Sequence, residues 1–332
     1  MIKYIQAIAP RHGEGLVKEV YAQIKRDFGK VVEPFLLHSP IPELLAGAWM
    51  ACRETELVGS VPRYIKEAVA IAVSQQNRCP YCIDAHTIML CANNEKEMSK
   101  TIRNNNYTQI KDAKVRAIMV WLQNGFRPEP FSETERPEII GTVAYFHYIN
   151  RMANVILSET PLPTNQPLLR GTILSVATLM FSSSVHHLKT TGESLQFLPE
   201  TELSDDLAWA KGAFNVAGAC ARFAKTVENA GKVLPFEVRS SVEAQIDKAL
   251  TAHKKGHLTS AEASDVTREF SDEAHKAACR LALLTALASQ RVDNEVISIF
   301  RKHFPKDTQL IGALAWASFT AARKIGAQLS KN

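Results

Sequence analysis

The stretch Pro62–Met89, PRYIKEAVAIAVSQQNRCPYCIDAHTIM, decides how the whole chain is read. Its first part puts Ile65, Ala68, Val69, Ala72 and Val73 on one face at helical spacing. Asn77-Arg78 breaks the pattern. Pro80 then suits the first position of a second helix, capped near Cys79, because its missing N–H would be unpaired there anyway. That helix runs through Ile83, His86, Thr87 and Leu90 and stops at Asn93-Asn94. The stretch therefore reads as a helical hairpin with Cys79 and Cys82 at its turn.

Working outward, the same period recurs. Leu16, Val17, Val20, Tyr21, Ile24 and Phe28 form an apolar stripe that Gly29 ends. A helix starting near Pro42-Glu43 carries Leu44, Leu45, Trp49 and Met50, with Gly59 as its expected stop. Residues 95–111 are polar and read as short helices and loops. Residues 112–124 hold Val115, Ile118, Met119 and Leu122 inside, and Glu138–Leu157 is apolar nearly all round, so largely buried. No segment sustains the period-2 alternation of a strand, and the expected class is all-α.

Length and composition narrow the function. The 332 residues have room for roughly two domains of ~150. The net charge of +5 comes from interspersed signs with no basic block, so no nucleic-acid partner is expected. No run approaches ~18 apolar residues, so no membrane span is expected, and the N-terminus lacks a secretory h-region. The six cysteines include one close pair, which points to a reducing cytoplasm rather than a secreted disulfide framework.

The linker signal is PLPTNQP at 161–167, dividing an expected first domain, 1–160, from a second, 168–332. The second reads as a degraded repeat of the first. EIIGTVAYFHYINR (138–151) aligns with QLIGALAWASFTAA (309–322), matching Ile140 with Ile311, Gly141 with Gly312 and Ala144 with Ala315. LAWAKGAFNVAGACARF (207–223) is likewise similar to LLAGAWMACRE (44–54). The second half has no C-x-x-C; only His253 and His257 fall near the corresponding place.

Two thiols two residues apart at a helix N-terminus can close a small disulfide ring, and the helix dipole favours a thiolate there. Zinc is the competing reading of Cys79 and Cys82. It needs two further ligands, and only His147 or His186-His187 are at hand, with no ligand spacing to recommend them. Plain core cysteines are the third reading. His86 lies one turn after Cys82 on the same face, where an imidazole can take the thiol proton. Glu67 precedes Cys79 by twelve residues, and the hairpin puts it about a turn beyond the residue facing His86. That is within reach of His86 directly or through one water, on a partly apolar face where a raised pKa is expected. A solvated glutamate in a first helical turn fits the spacing equally well.

Glu67, then C-x-x-C, then His86 resembles the core of the carboxymuconolactone decarboxylase superfamily in its alkylhydroperoxidase D-like branch. The likeness extends over residues 14–160 to the peroxidase-related subgroup, through Asp27-Phe28-Gly29, HSPIPELL (His38–Leu45), KEAVAIAVS (Lys66–Ser74), NRCPYCIDAHT (Asn77–Thr87) and Asn150-Arg151. The resemblance implies an all-α helical domain that assembles into homo-oligomers. It implies a peroxidatic Cys82, a resolving Cys79 presented to the reductant, and a proton relay of His86 and Glu67. It implies a peroxide substrate, a thioredoxin-like or lipoyl-type thiol reductant, and neither cofactor nor metal. Tyr81 stands inside the C-x-x-C where the best-known members have His, so one base of that pattern is missing. The alternative is a thiol–disulfide oxidoreductase or redox sensor with little peroxidase activity. Lactone decarboxylation, whose family members lack the C-x-x-C, and a non-enzymatic helical scaffold fit less of the constellation.

Overall fold

Apolar stripes bounded by Pro and Gly become helices where the pattern places them. In a computed structural model, residues 1–124, 128–162, 175–179, 181–182, 185, 189–251 and 260–331 are described. The first half contains α1 (Gly15–Phe28), α2 (Glu33–Leu36), α3 (Pro42–Cys52), α4 (Arg63–Gln76), α5 (Pro80–Ala92), α6 (Lys96–Arg103), α7 (Ala113–Asn124) and α8 (Arg136–Ile156). The second contains α9 (Phe214–Ala230), α10 (Phe236–Thr251), α11 (Ser260–Thr267), α12 (Glu273–Ala288), α13 (Asn294–His303) and α14 (Asp307–Lys331). Among the described residues there is no strand, only one isolated bridge between Ile2 and Leu157. No described helix is long and apolar enough to cross a membrane.

Gly29 ends α1 as expected, in the left-handed region at φ 90°, where its N–H closes on the Lys25 carbonyl. The end of α3 differs from expectation. The helix does not run to Gly59; it widens at Cys52 into one π turn, Arg53–Leu57. A π turn re-aims side chains because each residue no longer sits in α register. Here it buries Arg53, Glu54, Thr55 and Glu56.

Four buried polar groups in one turn need partners, and the second half supplies several. Arg53 is fully buried and donates to Asp27 at 2.7 Å, Glu54 at 2.6 Å and Glu193 at 3.0 Å. Glu54 also accepts from the Gly192 N–H and the Ser194 hydroxyl, each at 2.7 Å, and from the Asn215 amide at 3.1 Å. Beside this lock, α8 packs along α14 and α3 along α9. Tyr148, Phe223 and Phe319 meet at the seam, with ring centroids 4.6–6.1 Å apart. One hydrophobic core runs through both halves. The N-terminal segment ties them again: the Lys3 N–H reaches the Ile156 carbonyl, and the Gln6 N–H reaches Asp307.

Residues 163–167 of the expected linker, and His186, His187, His253 and His257, lie outside the described residues.

Candidate functional site

The α4–α5 hairpin forms as the sequence predicts. Arg78 takes a left-handed φ of 51°, and the Cys79 N–H closes on the Ser74 carbonyl at 2.9 Å, turning the chain sharply. Cys79 is the N-cap of α5, Pro80 its first residue, and Cys82 lies in its first turn. The helices run back antiparallel, and Glu67 meets His86 directly. Glu67 Oε2 stands 2.6 Å from His86 Nδ1. The Phe146 ring meets the imidazole edge-on, with centroids 4.5 Å apart.

Glu67 is fully buried, which decides against the solvated reading, but its acidity runs opposite to the raised pKa expected of a buried carboxyl. Burial pushes the carboxyl up, yet Arg63 and His86 together outweigh it and hold the group below the usual range. Arg63, one turn earlier on α4, donates to Glu67 Oε1 at 2.6 Å. The spacing argument missed this i, i+4 ion pair and therefore the sign. Burial opposes the charged form of His86, and the Glu67 carboxylate overrides it, raising the pKa. The contact thus favours the carboxylate and imidazolium forms together.

A second carboxylate joins them, unforeseen in the sequence. Glu56, from the π turn, stands 3.5 Å from His86 Nδ1 and accepts from Arg63 at 3.4 Å. Its other oxygen accepts from the Cys52 thiol at 3.2 Å. Glu56 is raised, first by burial and then by the neighbouring Glu67 charge, against the lowering pull of Arg63 and His86. Arg63 could have been read from its i, i+4 relation to Glu67. Glu56 could not, because the π turn hides its phase.

Both thiols of the C-x-x-C are free and buried, Cys79 at 0% and Cys82 at 3% exposure. Cys79, expected to face a reductant, is therefore no more exposed than Cys82, although Gln76, Arg78 and Pro80 around it are exposed. Burial pushes the Cys82 thiol up, hydrogen bonding with Cys79 adds to this, and the Asn150 side chain lowers it. Asn150 is itself fixed, donating to Ser74 Oγ at 3.0 Å and accepting from Asn77 at 2.9 Å. Tyr81 donates to Glu33 at 3.0 Å, and burial followed by the Glu33 charge pushes its phenol further up, so it stays un-ionised. It does not stand in for a histidine base.

Glu56, Glu67 and His86 offer three donor atoms within 4.8 Å of one another. The Arg63 guanidinium already spans both carboxylates, so a cation would have to displace an ion pair. His147 is engaged with Asn77 in the Asn150 network.

Residues 43–97, from α3 into α6, match the carboxymuconolactone decarboxylase family. The chain is 36% identical over 331 residues to an alkyl hydroperoxide reductase of Mycobacterium tuberculosis, covering 98% of this chain and 94% of the relative. No solved structure matches. A likeness of this degree over nearly the whole length, with the family match centred on the helices that carry the C-x-x-C, shows that the chain belongs to the carboxymuconolactone decarboxylase family, in its alkylhydroperoxidase D-like branch.

Proposed function

We propose that the protein is a thiol-dependent hydroperoxidase working through the Cys79–Cys82 dithiol, with Glu67 and His86 as its proton relay. The observation that carries this reading is the 2.6 Å contact between a buried Glu67 and His86 one turn after the second cysteine. The name of the mycobacterial relative supports it.

In this reading the Cys82 thiolate attacks the terminal oxygen of ROOH. An S–O bond forms, the O–O bond breaks, and RO⁻ leaves with the electron pair and takes a proton. Cys79 then attacks the sulfenate sulfur; water leaves and the Cys79–Cys82 disulfide remains. A dithiol reductant reopens it by exchange. An imidazolium one helical turn after Cys82 would favour the thiolate, which the surrounding burial alone disfavours. Burial of both sulfurs favours a small oxidant over a protein disulfide substrate. It also favours a slender lipoyl-type dithiol over a broad thioredoxin-like surface as reductant.

The second half, 168–332, is read as a degenerate repeat that completes the fold without a second site. The matched glycines support this. A Cβ on Gly141 would meet Thr55, just after α3, and a Cβ on Gly312 would meet the backbone of Ala230, at the end of α9. Each glycine thus admits the end of the corresponding helix of its own half. The pairing of α3 with α9 and α8 with α14 supports reading the second half as a stand-in for a neighbouring subunit.

The test is peroxide consumption with a dithiol reductant. Cys82→Ser is expected to lose turnover and sulfenate trapping, while Cys79→Ser keeps a trappable sulfenate on Cys82. Undiminished turnover in Cys82→Ser would overturn the assignment.

A further inference from the structure

The turn that leads into Cys79 is held from α8. Arg78 takes a left-handed φ of 51°, which a residue with a side chain keeps only where its surroundings fix it. Arg78 is itself exposed, so the fixing falls to Asn77 before it and Ser74 about a turn earlier. The Asn77 amide donates to Asn150 Oδ1 at 2.9 Å and accepts from Arg151 Nη1 at 3.2 Å. The Asn77 backbone carbonyl accepts from Asn154 Nδ2 at 3.0 Å. Asn150 also donates to Ser74 Oγ at 3.0 Å, and the Ser74 carbonyl receives the Cys79 N–H at 2.9 Å. Side chain and carbonyl of Asn77 are thus both bonded to α8.

Two of these residues reach further. Arg151 Nε donates to the Ala286 carbonyl at 2.8 Å, and Asn154 Nδ2 to Ser289 Oγ at 2.9 Å. Both acceptors stand at the C-terminal end of α12, in the half that has no C-x-x-C. That half does not repeat the polar set. On the alignment of 138–151 with 309–322, Asn150 and Arg151 fall on Ala321 and Ala322, and Asn154, one turn on, falls on Ile325. The set therefore goes with the dithiol and not with the helix packing that the two halves share.

We propose that Arg151 and Asn154 are positioning residues that anchor the C-x-x-C turn to the end of α12, so that the second half holds Cys79 in place for ring closure with Cys82. The proposal rests on the dithiol of the reading above. In exchange with an external disulfide, the Cys79–Cys82 bond forms as the external S–S bond breaks, and the two thiol protons pass to the released dithiol. Ring closure also removes whatever backbone freedom residues 77–79 keep in the dithiol form, and a clamped turn has little left to lose. Releasing the clamp gives the dithiol form more conformations, disfavours the disulfide and raises the reduction potential.

The full-length protein is equilibrated with reduced and oxidised dithiothreitol, and the state of Cys79 and Cys82 is read by thiol trapping and mass spectrometry. Arg151→Lys keeps the charge but loses the fork that reaches Ala286 and Asn77 together. Asn154→Ala and Ser289→Ala change no charge either, so a shift in these variants does not come from altered charge near sulfur. Arg151→Lys and Asn154→Ala are each expected to move the equilibrium roughly tenfold toward the dithiol, the entropy of one freed backbone residue, which raises the potential by about 30 mV. Ser289→Ala, altered only in the second half, should move it the same way by a smaller factor. Gly312→Ala, which strains the second half away from the clamp, should leave it unchanged. Unchanged or more negative potentials in Arg151→Lys and Asn154→Ala overturn the clamp and leave the hydroperoxidase reading standing. An equal shift in Gly312→Ala overturns it as well, because general loosening would then suffice. A wild type that forms no Cys79–Cys82 disulfide at any buffer ratio overturns both. If Arg151→Lys does not fold, Asn154→Ala, at a partly exposed position, decides.

Discussion

Replacing Glu54 by Ala should cost the protein far more than replacing Glu193, although both side chains serve the same arginine. Glu54 is fully buried and accepts from Arg53, Gly192, Ser194 and Asn215. Truncation leaves the Gly192 N–H, the Ser194 hydroxyl and the Asn215 amide without their acceptor, at about 1–3 kcal/mol for each group that finds no other. The Ser194 hydroxyl can rotate, and Asn215 keeps the Glu54 backbone carbonyl at 3.3 Å, so two full penalties are a fair count. Arg53 retains Asp27 and Glu193 and is not left as a bare buried charge. The expected loss is about 4 kcal/mol. Glu193 is 33% exposed and its other partner, Arg26, 49%, so water screens that end of the network and Glu193→Ala should lose about 1 kcal/mol or less. Urea unfolding followed by both far-ultraviolet dichroism and tryptophan fluorescence gives the comparison, provided the two probes coincide. Equal losses in the two variants, or a loss under about 1.5 kcal/mol for Glu54→Ala, would refute the view that this turn locks the halves together.

Acid should weaken the protein through His38. Burial lowers its pKa to about 3, with its Nε2 2.6 Å from the Tyr148 hydroxyl, so the native ring is neutral. The unfolded chain then binds the extra proton between about pH 6.5 and 3, and stability falls as pH drops through that window; by pH 5 the loss should reach about 2 kcal/mol and be absent from His38→Gln, read from urea midpoints at each pH. Gly141→Ala and Gly312→Ala should each destabilise by about 1–3 kcal/mol, with Gly312→Ala the worse because its obstacle is the Ala230 backbone rather than a Thr55 methyl. Thermal unfolding compares the two, and a neutral Gly312→Ala would mean that α9 shifts freely.

The helices were legible because apolar spacing and Pro or Gly punctuation agree along most of the chain. The Glu67–His86 contact was legible too, since a tight turn at Arg78-Cys79 leaves only the arithmetic of helical rise. What escaped had one physical cause in each case. The direction of the Glu67 shift depends on Arg63, a neighbour on the same helix face. The burial of Cys79 depends on how the α4–α5 turn meets the rest of the core, which spacing does not encode. Glu56 depends on a break in helical phase, and Asn150 on a helix position 73 residues from Asn77 in sequence.

The π turn Arg53–Leu57 has an outcome for how distant parts of the chain inform one another. An α-helix rotates about 100° per residue, so deleting a single residue here would restore regular winding and swing the following side chains by about that angle. Arg53 and Glu54 would lose their grip on Glu193, Ser194 and Asn215 in the same motion that withdrew Glu56 from His86. Five consecutive residues therefore act as a crankshaft. Displacement of residues 192–215 would be felt at Glu56, beside His86, through rotation of one turn, which gives the half of the chain without a C-x-x-C a mechanical hold on the half that has one.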